Sequence, residues 1–402
     1  MREFDWVTLL LLVMLLTCGI IAIYSASTTQ IGNDFQTENY YLKQIIWIII
    51  AFIITFLIIR TPYSVIEIMI PPAYIISIML LIIVLFMPEI KGSQRWIPLG
   101  LFNFQPSELA KLTTILLVTK LISKPHITNW QIISRSFIIF LIPIILIFLE
   151  PDLGTSLCLI VSFFVILTAS DISAFYIILI ISPLISIIAS FSLIIFIIYI
   201  LILIYILFKT NLDKIIIGFA VVLNTFFFLI TPFIWNSLKE YQQNRILTFI
   251  DPMRDPFGAG YQIIQSRIAI GSGGFWGKGF LMGTQKNLNF LPEHHTDFIF
   301  SVIGEEFGFL GCAIILLIYF LFLYRIVRKI NMLKRKEFRF AAIGILAYLT
   351  FQIFINIGMN IGIVPTTGIP LPFISYGGSN LLINILAIGL VLKFLNERSI
   401  FE

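Results

Sequence analysis

The chain has 402 residues, 59% of them hydrophobic and only 12% charged, with a mean hydropathy of +1.02 and a net charge of +5. Soluble domains carry roughly 25% charged residues. The composition therefore excludes a water-soluble globular protein, offers nothing to a nucleic-acid partner, and points to one all-α polytopic domain in membrane lipid.

The first apolar run, Trp6 to Ile23, exceeds the roughly 7–15-residue core of a cleavable leader and reads as a retained span. A bilayer core takes about 20 apolar residues per helix. Runs at roughly 6–26, 42–60, 67–87, 107–123, 132–149 and 154–170 meet that need. Further runs lie at roughly 172–190, 191–208, 215–236, 301–324, 340–362 and 377–395, which gives about 12 spans. The uncharged stretch from Ile172 to Phe208 is too long for one helix even when tilted. The small residues between Ala189 and Ser192 divide it.

An even count with the N-terminus inside puts both termini in the cytoplasm. Arg325 to Arg339, with seven basic residues and one acid, Glu337, then lies inside as a topology anchor. The one long extracytoplasmic loop is 237–300. A structureless loop of that length is unusual, and the alternation in "RIAIGSGGFWGKGF" predicts short pieces lying against the membrane. Cys18, Cys158 and Cys312 are far apart and read as small core residues, not a disulfide or a metal set.

Polar groups at membrane depth are costly and usually functional. In "KGSQRWIPLGLFNFQPSELAKL" (Lys91 to Leu112), Pro106 and Ser107 mark a helix start that Ser107 is expected to cap. Glu108 and Lys111 share a helix face, either as a self-satisfied ion pair or as the wall of a polar cavity. "LEPDLGTS" (Leu149 to Ser156) is a turn holding Glu150 and Asp152, the latter a candidate Asx-type cap. "DPMRDPFGAGYQ" (Asp251 to Gln262) opens the long loop, and Asp-Pro-x-Gly is a common turn signal. By residue type alone, Asp251 reads as a turn residue, and Asp255 either as a turn residue or as a functional carboxylate.

"LPEHHTDFIF" gathers Glu293, His294, His295 and Asp297. Adjacent histidines on a helix point about 100° apart, and no cysteine or third histidine is near, so a structural zinc site is not expected. Capping of a helix near Thr296, or shaping of the loop, fits better. "VPTTGIPLPFISYGGSN" (Val364 to Asn380) is non-helical backbone of the kind tolerated where it lines a cavity. Its "SYGG" is a candidate anion nest of backbone N–H groups.

In this order, "KGSQRWIPLG…QPSELAKL", "EPDLGTS", "DPFGAGYQ", "LPEHHTDFIFSVIGEEFG" and "GIPLPFISYGG" resemble the motifs of SEDS proteins, the shape, elongation, division and sporulation family. The likeness covers nearly the whole chain, and "IAIGSGGFWGKGFLMGTQ" is closer to the rod-shape (RodA) branch than to the division branch. It implies a single SEDS-type membrane domain over 1–402. It also implies a peptidoglycan glycosyltransferase that polymerises lipid II on the outer face of the bacterial cytoplasmic membrane, for elongation and rod shape. Its partners would be a class B penicillin-binding protein transpeptidase and the elongation complex. The family's essential carboxylate falls on Asp255, not Asp251. Arg95, Glu108, Lys111, Glu293, His295 and Asp297 fall on family motif positions, with Arg245, Gln262 and Ser375 completing the expected substrate-binding set. The resemblance allows a divalent cation, Mg or Mn, between pyrophosphate and carboxylates, although no dedicated metal motif is visible. The family has ten spans, so two helices between 172 and 214 are extra. An even insertion preserves the topology.

The implied reaction joins a sugar 4-hydroxyl to an anomeric carbon and releases a lipid pyrophosphate. A good leaving group needs no paired carboxylates of the glycosidase kind. One base for the hydroxyl proton suffices, with cations for the departing pyrophosphate. Asp255 fits the base, and Arg95, Lys111, Arg245 and Arg254 are candidate cations. Two other classes stay open: a lipid II flippase or lipid transporter, and a non-catalytic scaffold for a transpeptidase. Transporters often show inverted repeats, and none is visible here.

Overall fold

The structure is a computed structural model. It describes residues 5–31, 34–89, 93–98, 100, 103–170, 172, 174–209, 214–238, 243–244, 247–249, 251–255, 260–287 and 295–397. Among these residues, every predicted apolar run folds as a helix, the form in which a segment satisfies its own backbone in lipid. The first nine are α1 (Trp6–Ser27), α2 (Tyr40–Arg60), α3 (Tyr63–Val84), α4 (Pro106–Ile122), α5 (Asn129–Leu149), α6 (Leu153–Ala169), α7 (Ala174–Ala189), α8 (Leu193–Lys209) and α9 (Lys214–Ser237). The long loop contributes α10 (Tyr261–Ser272) and the one-turn α11 (Thr284–Asn287). The last three are α12 (Ile299–Ile330), α13 (Lys336–Ile361) and α14 (Gly378–Glu397). Among the described residues the strands form two antiparallel hairpins: Thr28–Ile31 with Asp34–Thr37, and Ile97–Pro98 with Asn103–Phe104.

Among the described residues, eight of these helices (α1, α2, α3, α5, α9, α12, α13 and α14) are long and apolar enough to cross a membrane. The long run divides where its small residues predict, α7 ending at Ala189 and α8 starting at Leu193.

By its internal contacts the chain forms two compact units, Met1–Ile166 with Thr248–Glu402, and Leu167–Leu247. The second holds α7, α8 and α9, packed through Phe175, Leu203, Leu207, Ile217 and Ala220. A buried polar knot adds specificity to that apolar packing. Asn224 donates to Ser182 Oγ at 2.9 Å and accepts from Tyr199 at 2.8 Å, while Ser186 donates to the Asn224 carbonyl at 2.6 Å. In the first unit, α13 and α14 form the centre, 67% and 78% buried along their apolar windows, while α2 at 17% faces outward.

Basic residues collect at one end of the first unit. There Arg325 and Lys329 contact the Asp5 carboxylate at 2.7 and 2.6 Å. Burial pushes that carboxyl up, but Arg325, Lys329 and Thr8 outweigh it and hold it well below the usual range.

Two local expectations are corrected. Ser107 does not cap α4. Pro106 occupies the first helical turn, Gln105 is the cap residue, and the buried Ser107 hydroxyl has no hydrogen-bond partner among the described residues. The helix expected near Thr296 starts at Ile299, and its cap residue Phe298 makes no side-chain hydrogen bond. A distant group does the capping instead, as Asn360 Oδ1 accepts from the Ser301 N–H at 3.1 Å.

Candidate active site

The two loop aspartates separate in the structure. Asp251 is exposed, and its carboxylate accepts from the Met253 N–H at 3.1 Å. It caps the 3₁₀ turn Pro252–Arg254 and is the turn residue its sequence suggests. Asp255 follows that turn, half-buried, with its carbonyl accepting from Gly260 N–H at 3.0 Å. A Cβ on Gly260 would run into the carbonyl oxygens of Pro252 and Asp255, so glycine permits this fold-back. Asp255 is thus set against the first turn of α10, where Gln262 is the second residue and half-buried. Arg245 and Glu293 lie outside the described residues.

Helix α10 is itself pinned. Ser266 donates to the Asn360 carbonyl at 2.6 Å and lies 2.5 Å from the Ser301 hydroxyl, which reaches Asn360 Oδ1 at 2.5 Å. Asn360 and Asn356 both donate to the Asp297 carbonyl, at 3.0 and 2.9 Å. Arg267 donates to the Ile361 and Gly362 carbonyls at 3.3 and 2.7 Å, closing the C-terminal end of α13. This junction fixes α10 between α12 and α13, and through α10 the backbone of Asp255.

The Glu108–Lys111 pair is fully interior. Nζ lies 2.9 Å from Glu108 Oε2, with side-chain exposures of 0% for Lys111 and 3% for Glu108. The approach makes an ion pair without an aligned hydrogen bond. Lys111 also lies over the Tyr348 ring at 5.1 Å. Asn380 donates to Glu108 Oε2 at 3.1 Å and Asn384 to Asn380 at 2.9 Å, so a polar chain links α4, α13 and α14. Polar groups on these three helices are short of partners: Tyr348 OH, Thr114 Oγ1 and Asn384 Oδ1 are buried without a hydrogen bond among the described residues. Each such group costs about 1–3 kcal/mol, and clusters of them call for a functional explanation.

Arg95 donates to the carbonyls of Glu150, at 3.3 Å, and Pro151, which holds the α5–α6 turn. Asp152 caps α6 as expected, accepting from Thr155 N–H at 3.2 Å and its hydroxyl at 2.8 Å. Glu150 is fully buried, and neither carboxyl oxygen has a hydrogen bond among the described residues. Burial, reinforced by Asp152 and opposed by Arg95, pushes it up to about 9, so it is neutral at pH 7.

His295 stacks on Tyr40 with ring centroids 4.3 Å apart, and its carbonyl accepts from Tyr376 N–H at 3.0 Å. Three of the four "SYGG" N–H groups already have acceptors, which narrows the anion-nest reading: Leu371 carbonyl for Ser375, His295 carbonyl for Tyr376 and Gln44 Oε1 for Gly377. The Ser375 hydroxyl is also engaged, accepting from Leu371 N–H at 2.8 Å. Among the described residues no three His, Cys, Asp or Glu side chains gather as a metal site.

Two carboxylates escaped the sequence reading. Glu305 is buried and accepts from Lys278 Nζ at 2.6 Å and Thr284 N–H at 2.8 Å, while Glu306 takes the Ser25 hydroxyl at 2.6 Å. The available signal was two adjacent acids one turn inside an apolar run, "IGEEFG", a placement lipid would penalise unless both were satisfied.

The profile of the FtsW, RodA and SpoVE family, described as "Cell cycle protein", matches residues 6–199 and 192–400. The chain is 36% identical over 408 residues to the peptidoglycan glycosyltransferase MrdB of Escherichia coli (strain K12), covering 99% of this chain and 95% of that one. It is 32% identical to the probable peptidoglycan glycosyltransferase FtsW of Trichlorobacter lovleyi, with 98% and 93% coverage. A solved structure, described as the structural coordination of polymerization and crosslinking by a peptidoglycan synthase complex, matches with TM-score 0.73 at 28% identity and 99% coverage of both chains. The crystal structure of the Thermus thermophilus rod shape determining protein RodA shares the fold, with TM-score 0.63 at 23% identity and 99% and 98% coverage.

Proposed function

The chain belongs to the FtsW, RodA and SpoVE family, and on that premise we propose that it is a peptidoglycan glycosyltransferase of the bacterial cytoplasmic membrane. The reading rests above all on the match to MrdB along 99% of the chain. Its substrate is lipid II, and its partner is a class B penicillin-binding protein, in keeping with the synthase complex that the fold resembles. Residues 1–402 form one membrane domain that crosses the bilayer twelve times, the α7–α9 unit carrying the two additional helices. The basic end lies in the cytoplasm by the positive-inside rule, and the motif end faces outward.

At that outer end Asp255 takes the proton of the acceptor 4-hydroxyl. The hydroxyl oxygen bonds to the anomeric carbon of the second sugar, the bond from that carbon to the pyrophosphate breaks, and its electron pair leaves with the lipid pyrophosphate. The half-buried setting of Asp255 against α10 supports a base held in one position. Lys111, with N–H groups not committed to aligned bonds, is the proposed cation for the pyrophosphate. Arg95, Glu108, Gln262, His295, Asp297 and Ser375 complete the proposed substrate site, several through backbone bonds rather than direct contact.

The test is polymerisation of lipid II by the purified protein with its partner. Asp255→Ala abolishes polymer while leaving the unfolding temperature unchanged; normal polymer from that variant would remove Asp255 from the mechanism. Movement of lipid II across sealed vesicles without polymer would favour the transporter class instead.

A further inference from the structure

The segment from Gly273 to Met282 is built into a break in α12. Gly308, at φ 65° and ψ −161°, interrupts that helix and frees the carbonyls of Glu305 and Glu306 and the N–H groups of Phe309 and Leu310. The loop supplies the missing partners. Lys278 and Gly279 N–H groups donate to the Glu305 and Glu306 carbonyls, both at 3.0 Å. In return Phe309 and Leu310 N–H groups donate to the Gly274 and Phe275 carbonyls, at 2.9 and 3.2 Å. Gly277 and Gly308 approach so closely that a Cβ on either would collide with backbone of the other segment, and both have positive φ. The buried Glu305 carboxylate bonds Lys278 and Thr284 from below. The loop is therefore welded to α12.

Three aromatic side chains project from this weld. Trp276 is 76% exposed, Phe309 64% and Phe275 54%. They form one cluster, Phe275 lying 5.1 Å from Trp276 and stacked 5.8 Å from Phe309, measured between ring centroids. Exposed ring clusters normally meet something apolar.

The length of α12 places them. From Phe309 to Ile330, about 22 residues at about 1.5 Å each span about 33 Å, against a hydrocarbon core of about 30 Å. Arg325, Arg328 and Lys329 mark one end of that stretch, so Phe309 marks the opposite boundary. Amphipathic and aromatic rings favour that level.

We propose that Phe275, Trp276 and Phe309 are an interfacial anchor seated among the headgroups and first acyl carbons of the outer leaflet, with lipid as its occupant. The anchor fixes the height of α10, which runs directly into the loop, and so of Asp255 above the membrane. Its consequence for catalysis rests on the glycosyltransferase reading: a lipid-linked pyrophosphate sits at headgroup depth, and the base must meet it there. The anchor itself does not depend on that reading.

The experiment uses the full chain in phosphatidylcholine vesicles whose acyl chains are brominated either near the ester or near the chain end. The chain has six tryptophans, so the Trp276 signal is the difference between the parent and Trp276→Phe. Expected is strong quenching of that difference by shallow bromines, weak quenching by deep ones and little by aqueous iodide. Phe275→Trp in the Trp276→Phe background is a second reporter with the same expected pattern, and its quenching stands even where the first difference is small. Iodide quenching without bromine quenching would place the loop in water and overturn the proposal, as would stronger quenching by the deep bromines. Loss of shallow quenching when the penicillin-binding protein is added would make the occupant a protein and equally overturn it. These readouts involve no turnover, so their failure is separate from failure of the polymerisation assay.

Discussion

Glu108→Gln would strand Lys111. Removing one member of a buried ion pair costs about 3–5 kcal/mol, because the other charge stays desolvated. The structure makes the two single changes unequal. Without Lys111, Glu108 keeps the Asn380 amide at 3.1 Å. Without the Glu108 charge, Lys111 keeps the Tyr348 ring at 5.1 Å, and a cation over a ring is worth about 0.5–2 kcal/mol. Glu108→Gln is therefore expected at the upper part of the range, about 4 kcal/mol, and Lys111→Met nearer 3 kcal/mol. The double variant removes both charges at similar volume and returns to within about 1.5 kcal/mol of the parent. Denaturant unfolding of the four proteins in one detergent closes the cycle and gives the coupling energy. Singles within about 1 kcal/mol of the parent, or a double no better than either single, would refute the buried-pair account. The same proteins address function. If the Lys111 charge meets the pyrophosphate, the double variant folds but makes no polymer; restored polymer would make the pair purely structural.

Asn360→Ala leaves the Ser301 N–H without its cap and is expected to cost about 1–3 kcal/mol, read as a lower unfolding midpoint, together with reduced polymerisation because α10 loosens. Glu150 has a native pKa of about 9 against 4.5 for the free group, so its stabilising share is present below the lower value and is lost as pH rises toward the upper one. Glu150→Gln, permanently neutral, should gain stability over the parent progressively across that window, and parallel pH profiles would contradict this. Gly277→Ala, at positive φ and against the Glu306 carbonyl, should lower the unfolding temperature clearly. Asp251→Ala removes only a turn cap and should keep most of the polymerising activity.

The legible part of this protein was the part that lipid dictates. Apolar runs of bilayer length become helices because no other single-segment form satisfies its backbone there. The twelve runs, the break after Ala189 and the Asp152 cap follow from chain-local rules. So does the cap that Asp251 places on the turn Pro252–Arg254. The loop was harder. Its sequence showed glycines and aromatics but not that Gly277 and Gly308 seat one segment in another, since that pairing joins residues about 30 apart through backbone alone.

The same holds at the other polar points. Ser107 stood next to a proline that moved the helix start, and the cap for α12 came from Asn360, 59 positions away. Glu108 and Lys111 were paired by helical spacing, but their neighbours Tyr348 and Asn380 come from other helices. Sequence by itself determined which segments fold as apolar helices, because hydropathy and helical periodicity act within one segment. Only the tertiary structure decided which buried polar groups meet, because satisfying them in a dry interior requires partners from distant parts of the chain.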